Sequence, residues 1–303
     1  MADSMRSSTV GLIGLGKMGG GMARNILAAG HGLVVYDIDP EKCKQLAELG
    51  AEAAEGPSRV AERSRVVITM VDTTQQTQDV TIGRGGVIDG ARPGDIVICM
   101  STVDAMAVRG IQGALAERGI DIIDSPVSGM IKGAQDGTLR AFVGGDQSVL
   151  ETCRPVLEAM TSEIIHVGPL GSGLAMKLVN NMMYKVNSIA AIEGMVLGVK
   201  AGLDPNVILD VIGRSTGNSP AFQYRAKRMI ERDFEGVRLD ISYKDLELET
   251  ALGSSLHVPL FLPNVCKQIF EMGRAAGLGG KDATALVTIY EQLAGVTIGD
   301  PEK

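Results

Sequence analysis

The chain has no tryptophan and only five phenylalanines and five tyrosines, so its core must be built from aliphatic side chains, with 15 methionines and 39 glycines among them. Cysteine is scarce and scattered: Cys43, Cys99, Cys153 and Cys266 form no C-x-x-C pair. That spacing argues for reduced thiols in a cytoplasmic protein and against a disulfide scaffold. The three histidines, His31, His166 and His257, share no ligand spacing, so no metal site is expected. A formal charge of −7 withholds the basic face that a phosphate backbone requires, which excludes nucleic acid as a partner. The small basic cluster Arg225, Lys227 and Arg228 is followed by Glu231 and Asp233, the pattern of a solvated helix face. No apolar run of membrane-spanning length escapes interruption, since the longest candidate contains Lys177, Lys185, Glu193 and Lys200. The N-terminal stretch MADSMRSST is too short and polar for a signal peptide. A soluble, cytoplasmic protein with no membrane partner is the expectation.

What is present has an order. At 303 residues the length predicts about two domains, and 45% hydrophobic with 21% charged residues is ordinary for a globular chain. Residues 9–14 read as a buried strand that runs directly into Gly14-Leu15-Gly16-Lys17-Met18-Gly19 and then a helix over 22–29. This is G-x-G-x-x-G between strand and helix. Its glycines permit a tight turn and let backbone amides approach a pyrophosphate, which then faces the positive end of the helix. A second strand over 33–36 ends in Asp37, where a carboxylate would accept hydrogen bonds from an adenosine ribose. The same carboxylate would repel a 2′-phosphate and no arginine follows it directly, so NAD is favoured over NADP. Asp39 fits the cap of the helix that starts near Pro40.

Strand and helix signals then alternate as a doubly wound sheet requires, with strands over 65–70, 96–99, 121–124, 140–143 and 164–167. Ligands of such folds sit beyond the carboxyl ends of the strands. The segments to inspect there are Val71-Asp72-Thr73, Ser101-Thr102 and Ser125-Pro126-Val127-Ser128-Gly129-Met130. Ser128 and Gly129 would offer a hydroxyl and amides to an acid group, or form a ligand-free glycine-rich connection. Beyond Gly168-Pro169-Leu170-Gly171 strand signals stop and helical periods run to the end. Residues 1–168 are therefore expected to form a dinucleotide-binding α/β domain and 169–303 an all-helical one, joined through a long helix. That helix opens with GSGLAMKLVNN, in which Gly173, Lys177 and Asn181 are four apart and share a face. Leu174, Met176, Leu178, Val179, Met182 and Met183 surround that face, so the helix is expected to be buried on most sides. A lysine in such a helix must be paired or working, unless it snorkels to water.

In these segments the chain resembles the β-hydroxyacid dehydrogenase family, over nearly its whole length. Leu12 to Ala23, LIGLGKMGGGMA, is similar to its cofactor fingerprint; DSPVSGMIKGAQDG, starting at Asp124, to its substrate motif; Gly171 to Asn181 to its catalytic motif; and Lys244-Asp245 to a lysine-aspartate pair of its helical domain. The resemblance implies NAD(P)-dependent oxidation of a short 3-hydroxy acid, or reduction of the matching semialdehyde. Carried over, Lys177 is the general acid/base, Ser128 and Gly129 hold the acid group with Met130 beside them, Asn181 orients substrate, and Lys244 lines the cleft near cofactor and substrate. Gly14 to Gly19, Asp37, Met70, Val71, Ser101 and Thr102 fall to the cofactor. Burial and a neighbouring cation would lower the Lys177 pKa toward neutrality, which suits proton transfer in both directions.

The chain departs from the family at three places. Met130 stands where a second glycine is usual, and a methionine there adopts positive φ only at a cost, which would reshape or narrow the pocket. Val71-Asp72-Thr73 replaces a usual Leu-Pro-Asn, and the stretch before Lys244 lacks a usual aromatic. Two other readings compete. Imine reductases share the architecture but commonly replace the lysine that Lys177 retains; a non-catalytic NAD-binding scaffold would have no need of Lys177, Asn181 and Ser128 together. The apolar helices of the second half imply a homodimer or homotetramer.

Overall fold

The computed structural model describes residues 9–299, so the stretch read above as too polar for a signal peptide lies, through residue 8, outside the described residues. The first strand is β1 (Thr9–Ile13), and β2 (Gly32–Tyr36), β3 (Glu52–Ala53), β4 (Val66–Thr69), β5 (Ile96–Cys99) and β6 (Asp121–Asp124) run parallel to it in the order β3-β2-β1-β4-β5-β6. This is the doubly wound order, whose ligand crevice lies where strand order reverses, between β1 and β4. The sheet continues through β8 (Leu139–Gly144), antiparallel to β6 and to the short β7 (Val127–Ser128), and ends on β9 (Thr161–Gly168), parallel to β8. Strands such as VVIT and IVIC are apolar without alternation because both faces are covered. Leu12, Val35, Ile68 and Ile98 pack on one side, and Ile13, Val34, Val67 and Val97 on the other.

The covering helices are α1 (Lys17–Ala28), α2 (Pro40–Ala47), α3 (Pro57–Arg63), α4 (Thr74–Ile82), α5 (Val87–Gly90), α6 (Ala105–Ala116), α7 (Met130–Asp136) and α8 (Gln147–Glu158). Asp39 caps α2 by accepting from the Glu41 amide, as its position before Pro40 predicts. Helix α1 starts five residues earlier than expected, inside the fingerprint itself. The glycines there lower helix propensity, but close packing on α7 overrides it, with Asn25 Nδ2 donating to the Ala134 carbonyl at 2.7 Å.

The long helix α9 (Ser172–Lys200) follows, and the described residues divide into two compact units within it, one through Lys177 and the other from Leu178. The second unit is helical: α10 (Pro205–Gly213), α11 (Pro220–Glu231), α12 (Leu239–Ser255), α13 (Phe261–Ala275), a 3-10 turn at Ala283–Leu286 and α14 (Val287–Ala294). Its core gathers Ile192, Met195, Met229, Leu246, Phe270 and Leu286.

Two expectations need correction. Helix α9 is not buried on most sides in the single chain: Met176, Val179 and Met183 are 43%, 46% and 58% exposed and form an apolar outer face. Of the basic cluster on α11, Lys227 does face water and lies near Glu231, but Arg225 is 5% exposed and does not belong to a solvated face. Its guanidinium pairs with Asp282, donates to Thr284 Oγ1 at 2.8 Å and to Ser188 Oγ at 3.3 Å, and lies over the Tyr184 and Tyr224 rings. Among the described residues, no helix is long and apolar enough to cross a membrane.

Candidate active site

The fingerprint loop is held from beneath. Gly14 has φ 95°, and a Cβ there would lie 2.2 Å from the Met70 carbonyl oxygen, so only glycine lets β1 turn against the end of β4. Gly16 differs, since a Cβ on it would meet no protein atom within 4 Å. It stands at the N-cap of α1 with no side-chain cap, and the first turn carries no acidic residue. The fold therefore has no internal use for that missing side chain, and it leaves open space at a helix start whose amides are ready for an anion. A dinucleotide pyrophosphate fits there, beside Leu15, Lys17, Met18 and Gly19.

Asp37 ties the loop to the end of β2. Its Oδ2 accepts from the Leu15 amide at 2.6 Å, and its Oδ1 accepts from the Asp39 amide at 2.9 Å and from Lys42 Nζ at 3.2 Å. Burial works to raise this carboxyl, but the two amides and the ammonium outweigh it and hold the carboxyl below its ordinary range. The carboxylate is therefore fixed as an ion at the edge where a ribose would lie. Lys42 escapes a reading of the residues directly after Asp37, because it comes one turn into α2.

The next strand ends are joined in the same way. The Val71 amide donates to Ser101 Oγ at 2.8 Å, and that hydroxyl is fully buried. Ser101 thus locks the end of β4 to the end of β5, with Met70 on one side of the lock and the half-buried Thr102 on the other. Thr73 caps α4 in a reciprocal box with Gln76.

The loop after β7 is strained. Gly129 has φ 135°, and Met130 takes φ 57°, the left-handed region that is costly for a methionine. Ser128 is half-buried, while Met130 is 42% exposed. A non-glycine residue held there costs on the order of 1–2 kcal/mol. Met130→Gly is therefore expected to raise stability by about 1 kcal/mol in a denaturant melt, and a loss of stability would show that the methionine's packing outweighs its backbone.

The start of α9 is built by a residue named above only as the first of a motif. Asp124, at the end of β6 and fully buried, accepts from the Gly171 amide through Oδ1 and from the Leu174 amide through Oδ2, both at 2.7 Å. Burial pushes this carboxyl up to about 6, against the pull of those amides, so at neutral pH it is a carboxylate capping the helix. Gly173 lies in the same joint, where a Cβ would come within 2.2 Å of the Phe142 carbonyl oxygen. The helix is thus seated on the β8 backbone one turn before half-buried Lys177, and Asn181 follows one turn later.

In the helical unit, Asn181 Nδ2 donates to Asp245 Oδ2 at 3.1 Å, and Lys244 Nζ lies 3.3 Å from Asp245 Oδ1. Asp245 thus joins two of the anticipated substrate residues. Behind it stand Lys185 and Glu249, whose spacings (Asn181 to Lys185, and Asp245 to Glu249) put each pair on one helix face. Among the described residues, no three His, Cys, Asp or Glu side chains gather as a metal could require.

The chain is similar to known proteins over most of its length. A family model described as the NAD binding domain of 6-phosphogluconate dehydrogenase matches residues 9–168, and one described as NAD-binding of NADP-dependent 3-hydroxyisobutyrate dehydrogenase matches residues 171–290. The chain is 37% identical over 295 residues to the 2-(hydroxymethyl)glutarate dehydrogenase of Eubacterium barkeri, covering 97% of this chain and 98% of that one. It is 33% identical to the L-threonate dehydrogenase of Cupriavidus necator, covering 94% and 96% of the two chains. Among solved structures it is similar to the 3-hydroxyisobutyrate dehydrogenase of Mycobacterium tuberculosis with L-serine, at a TM-score of 0.87 and 31% identity over 93% of this chain and 99% of that one.

Proposed function

The chain belongs to the β-hydroxyacid dehydrogenase family, and from that premise we propose that it oxidises the hydroxyl of a short 3-hydroxy acid, or reduces the matching semialdehyde, with Lys177 as general acid/base. The observation that carries this reading is the seating of α9: Asp124 and Gly173 fix the helix start, and one turn on, the helix presents an amine and then an amide at Lys177 and Asn181. A residue that removes a hydroxyl proton must be held within hydrogen-bond reach of it, and a lysine on a capped, strand-seated turn is held that way.

When bound, the nicotinamide ring supplies the acceptor for the hydride. The residues proposed to hold the cofactor are Gly14 to Gly19 at the pyrophosphate, Asp37 at the adenosine ribose, and Met70, Val71, Ser101, Thr102 and Lys244 along its length. Ser128 and the amides of Gly129 and Met130 would hold the acid group, Asn181 and Lys244 would orient the substrate, and Lys177 would take the hydroxyl proton as the carbon is oxidised and return it in reduction. In this reading residues 1–168 hold most of the dinucleotide and the acid group of the substrate, and residues 169–303 supply Lys177, Asn181 and Lys244 together with the surface for assembly. We also place the chain in a cytosolic homodimer or homotetramer. The exposed apolar residues Val179, Met183 and Leu197 on α9, and Phe261, Leu262 and Val265 on α13, support the assembly, and four free buried cysteines fit a reducing compartment.

The relatives act, by their names, on 2-(hydroxymethyl)glutarate, L-threonate and 3-hydroxyisobutyrate. The test is NADH formation at mildly alkaline pH with those three acids together with 3-hydroxypropionate, 4-hydroxybutyrate, glycerate and a sulfonate analogue. A clear rate with one acid is expected; silence across the panel while NADH still binds would leave the scaffold reading in its place. Cofactor choice follows from Asp37. Asp37→Ala is expected to weaken NADH binding about tenfold or more, and NADPH binding less, because the carboxylate that would repel a 2′-phosphate is gone and Lys42 keeps only its longer pairing with Asp39, at 3.8 Å. Fluorescence titration with both nucleotides decides this, and equal losses would remove Asp37 from ribose recognition.

A further inference from the structure

We infer that Lys185 and Glu249 are positioning residues of the substrate-side face of the helical unit, acting through Asp245 on Asn181 and Lys244; the inference rests on the reading that Asn181 contacts the hydroxy acid. All five side chains lie on α9 and α12. Lys185 pairs with Glu249 Oε1 and lies 4.0 Å from Asp245 Oδ2, the oxygen that accepts from Asn181. Lys244 approaches the other oxygen of Asp245. Lys185, Glu249 and Asp245 are 5%, 3% and 8% exposed, so two carboxylates and an ammonium have left water.

Such a cluster is a poor way to stabilise two helices. Desolvating the charges offsets most of their attraction, and an apolar pair of similar volume would hold the helices about as well. What an apolar pair cannot do is orient an amide. An ionised carboxylate only accepts hydrogen bonds, so Asp245 compels Asn181 to turn its NH2 group toward it. The Asn181 carbonyl oxygen is thereby left as the atom facing outward, where the neighbouring Asn180 Nδ2 approaches it at 3.3 Å. Asn181 is then an acceptor, suited to the hydroxyl of a 3-hydroxy acid.

Lys185 keeps this arrangement single-valued. Its ammonium lies 4.0 Å from Asp245 Oδ2 and pairs with Glu249 one helical turn on, so it holds the Asp245 carboxylate in the orientation that meets the Asn181 amide. Without that ammonium the carboxylate can turn away, and the Asn181 amide is free to flip. Glu249 complements this by drawing the Lys185 ammonium to itself, so that Asp245 Oδ2 stays available to Asn181.

The test compares Lys185→Met, the double variant Lys185→Met with Glu249→Leu, and Asn181→Ala, in steady-state oxidation of 3-hydroxyisobutyrate or of the fastest acid in the panel. Melting temperature and NADH binding are measured alongside. Lys185→Met is expected to melt lower, because it removes the ammonium from between two buried carboxylates. The double variant is expected to regain the parent's melting temperature yet keep a KM for the acid raised about tenfold, with kcat changed less, since a tenfold change is the scale of one lost oriented hydrogen bond. A parental KM in the double variant, with Asn181→Ala impaired, would overturn the positioning role alone. A parental KM in Asn181→Ala would overturn the substrate contact and this inference with it. Should the apolar pair not fold, Glu249→Gln gives the same readout: it keeps the shape but releases Lys185 onto Asp245, so a raised KM supports the role and an unchanged one removes it.

Discussion

Replacing Lys177 with alanine is expected to lower kcat by about 10²–10⁴-fold while leaving NADH affinity within about twofold of the parent. The range is that of a lost general acid/base. Affinity is expected to stay because the cofactor contacts proposed above lie on the glycine loop, Asp37, the ends of β4 and β5 and Lys244, and Lys177 is not among them. Lys177→Arg makes the test sharper. Arginine keeps the positive charge and most of the length, but its guanidinium stays protonated at working pH and cannot accept a proton. If Lys177 transfers a proton, the arginine variant stays nearly as slow as the alanine one. If Lys177 contributes only charge, arginine restores much of the rate, and the acid/base assignment fails.

The second large effect lies in a residue that touches no reactant. Asp124→Ala leaves the Gly171 and Leu174 amides buried without their acceptor, each at a cost of about 1–3 kcal/mol, so a loss of roughly 2–6 kcal/mol is expected in a denaturant melt. Because those amides open the turn before Lys177, kcat is expected to fall in variant protein that remains folded, again with NADH binding retained. A variant with unchanged stability would mean that α9 is seated by Gly173 and its contact with β8 alone.

The sheet was legible in the sequence because parallel strands covered on both faces are apolar at nearly every position, as VVIT and IVIC are, and because the fingerprint glycines have a mechanical reason to sit between strand and helix. The capping role of Asp39 was legible for the same kind of reason: an acceptor before Pro40 has one local use. What escaped was long-range pairing. Arg225 lies in a basic run that any local reading places in water, yet Asp282 and Thr284, distant in sequence, supply the partners that let it be buried. Lys185 showed in the sequence only as a charge interrupting an apolar run, and its meaning depends on Glu249 arriving from another helix.

The apolar stripe of α9 misled for a different reason. Periodicity reports that Met176, Val179 and Met183 avoid water, but not whether the chain's own core or a second copy removes them from it. Met130 is the converse case. The sequence already implied a strained backbone there, since a methionine stood where the family uses glycine, and the loop adopts φ 57° all the same. A cost of that kind persists where the surrounding structure holds the residue in place.

The most direct test of the account follows the hydrogen itself. 3-Hydroxyisobutyrate, or the best acid of the panel, is prepared with deuterium on its hydroxyl carbon and oxidised by the enzyme with unlabelled NAD, and the reduced cofactor is weighed by mass spectrometry. One deuterium is expected in each NADH formed, with turnover lowered by about 10²–10⁴-fold in Lys177→Ala. Unlabelled NADH accompanying product would contradict hydride transfer from that carbon, and with it the reaction proposed for this chain.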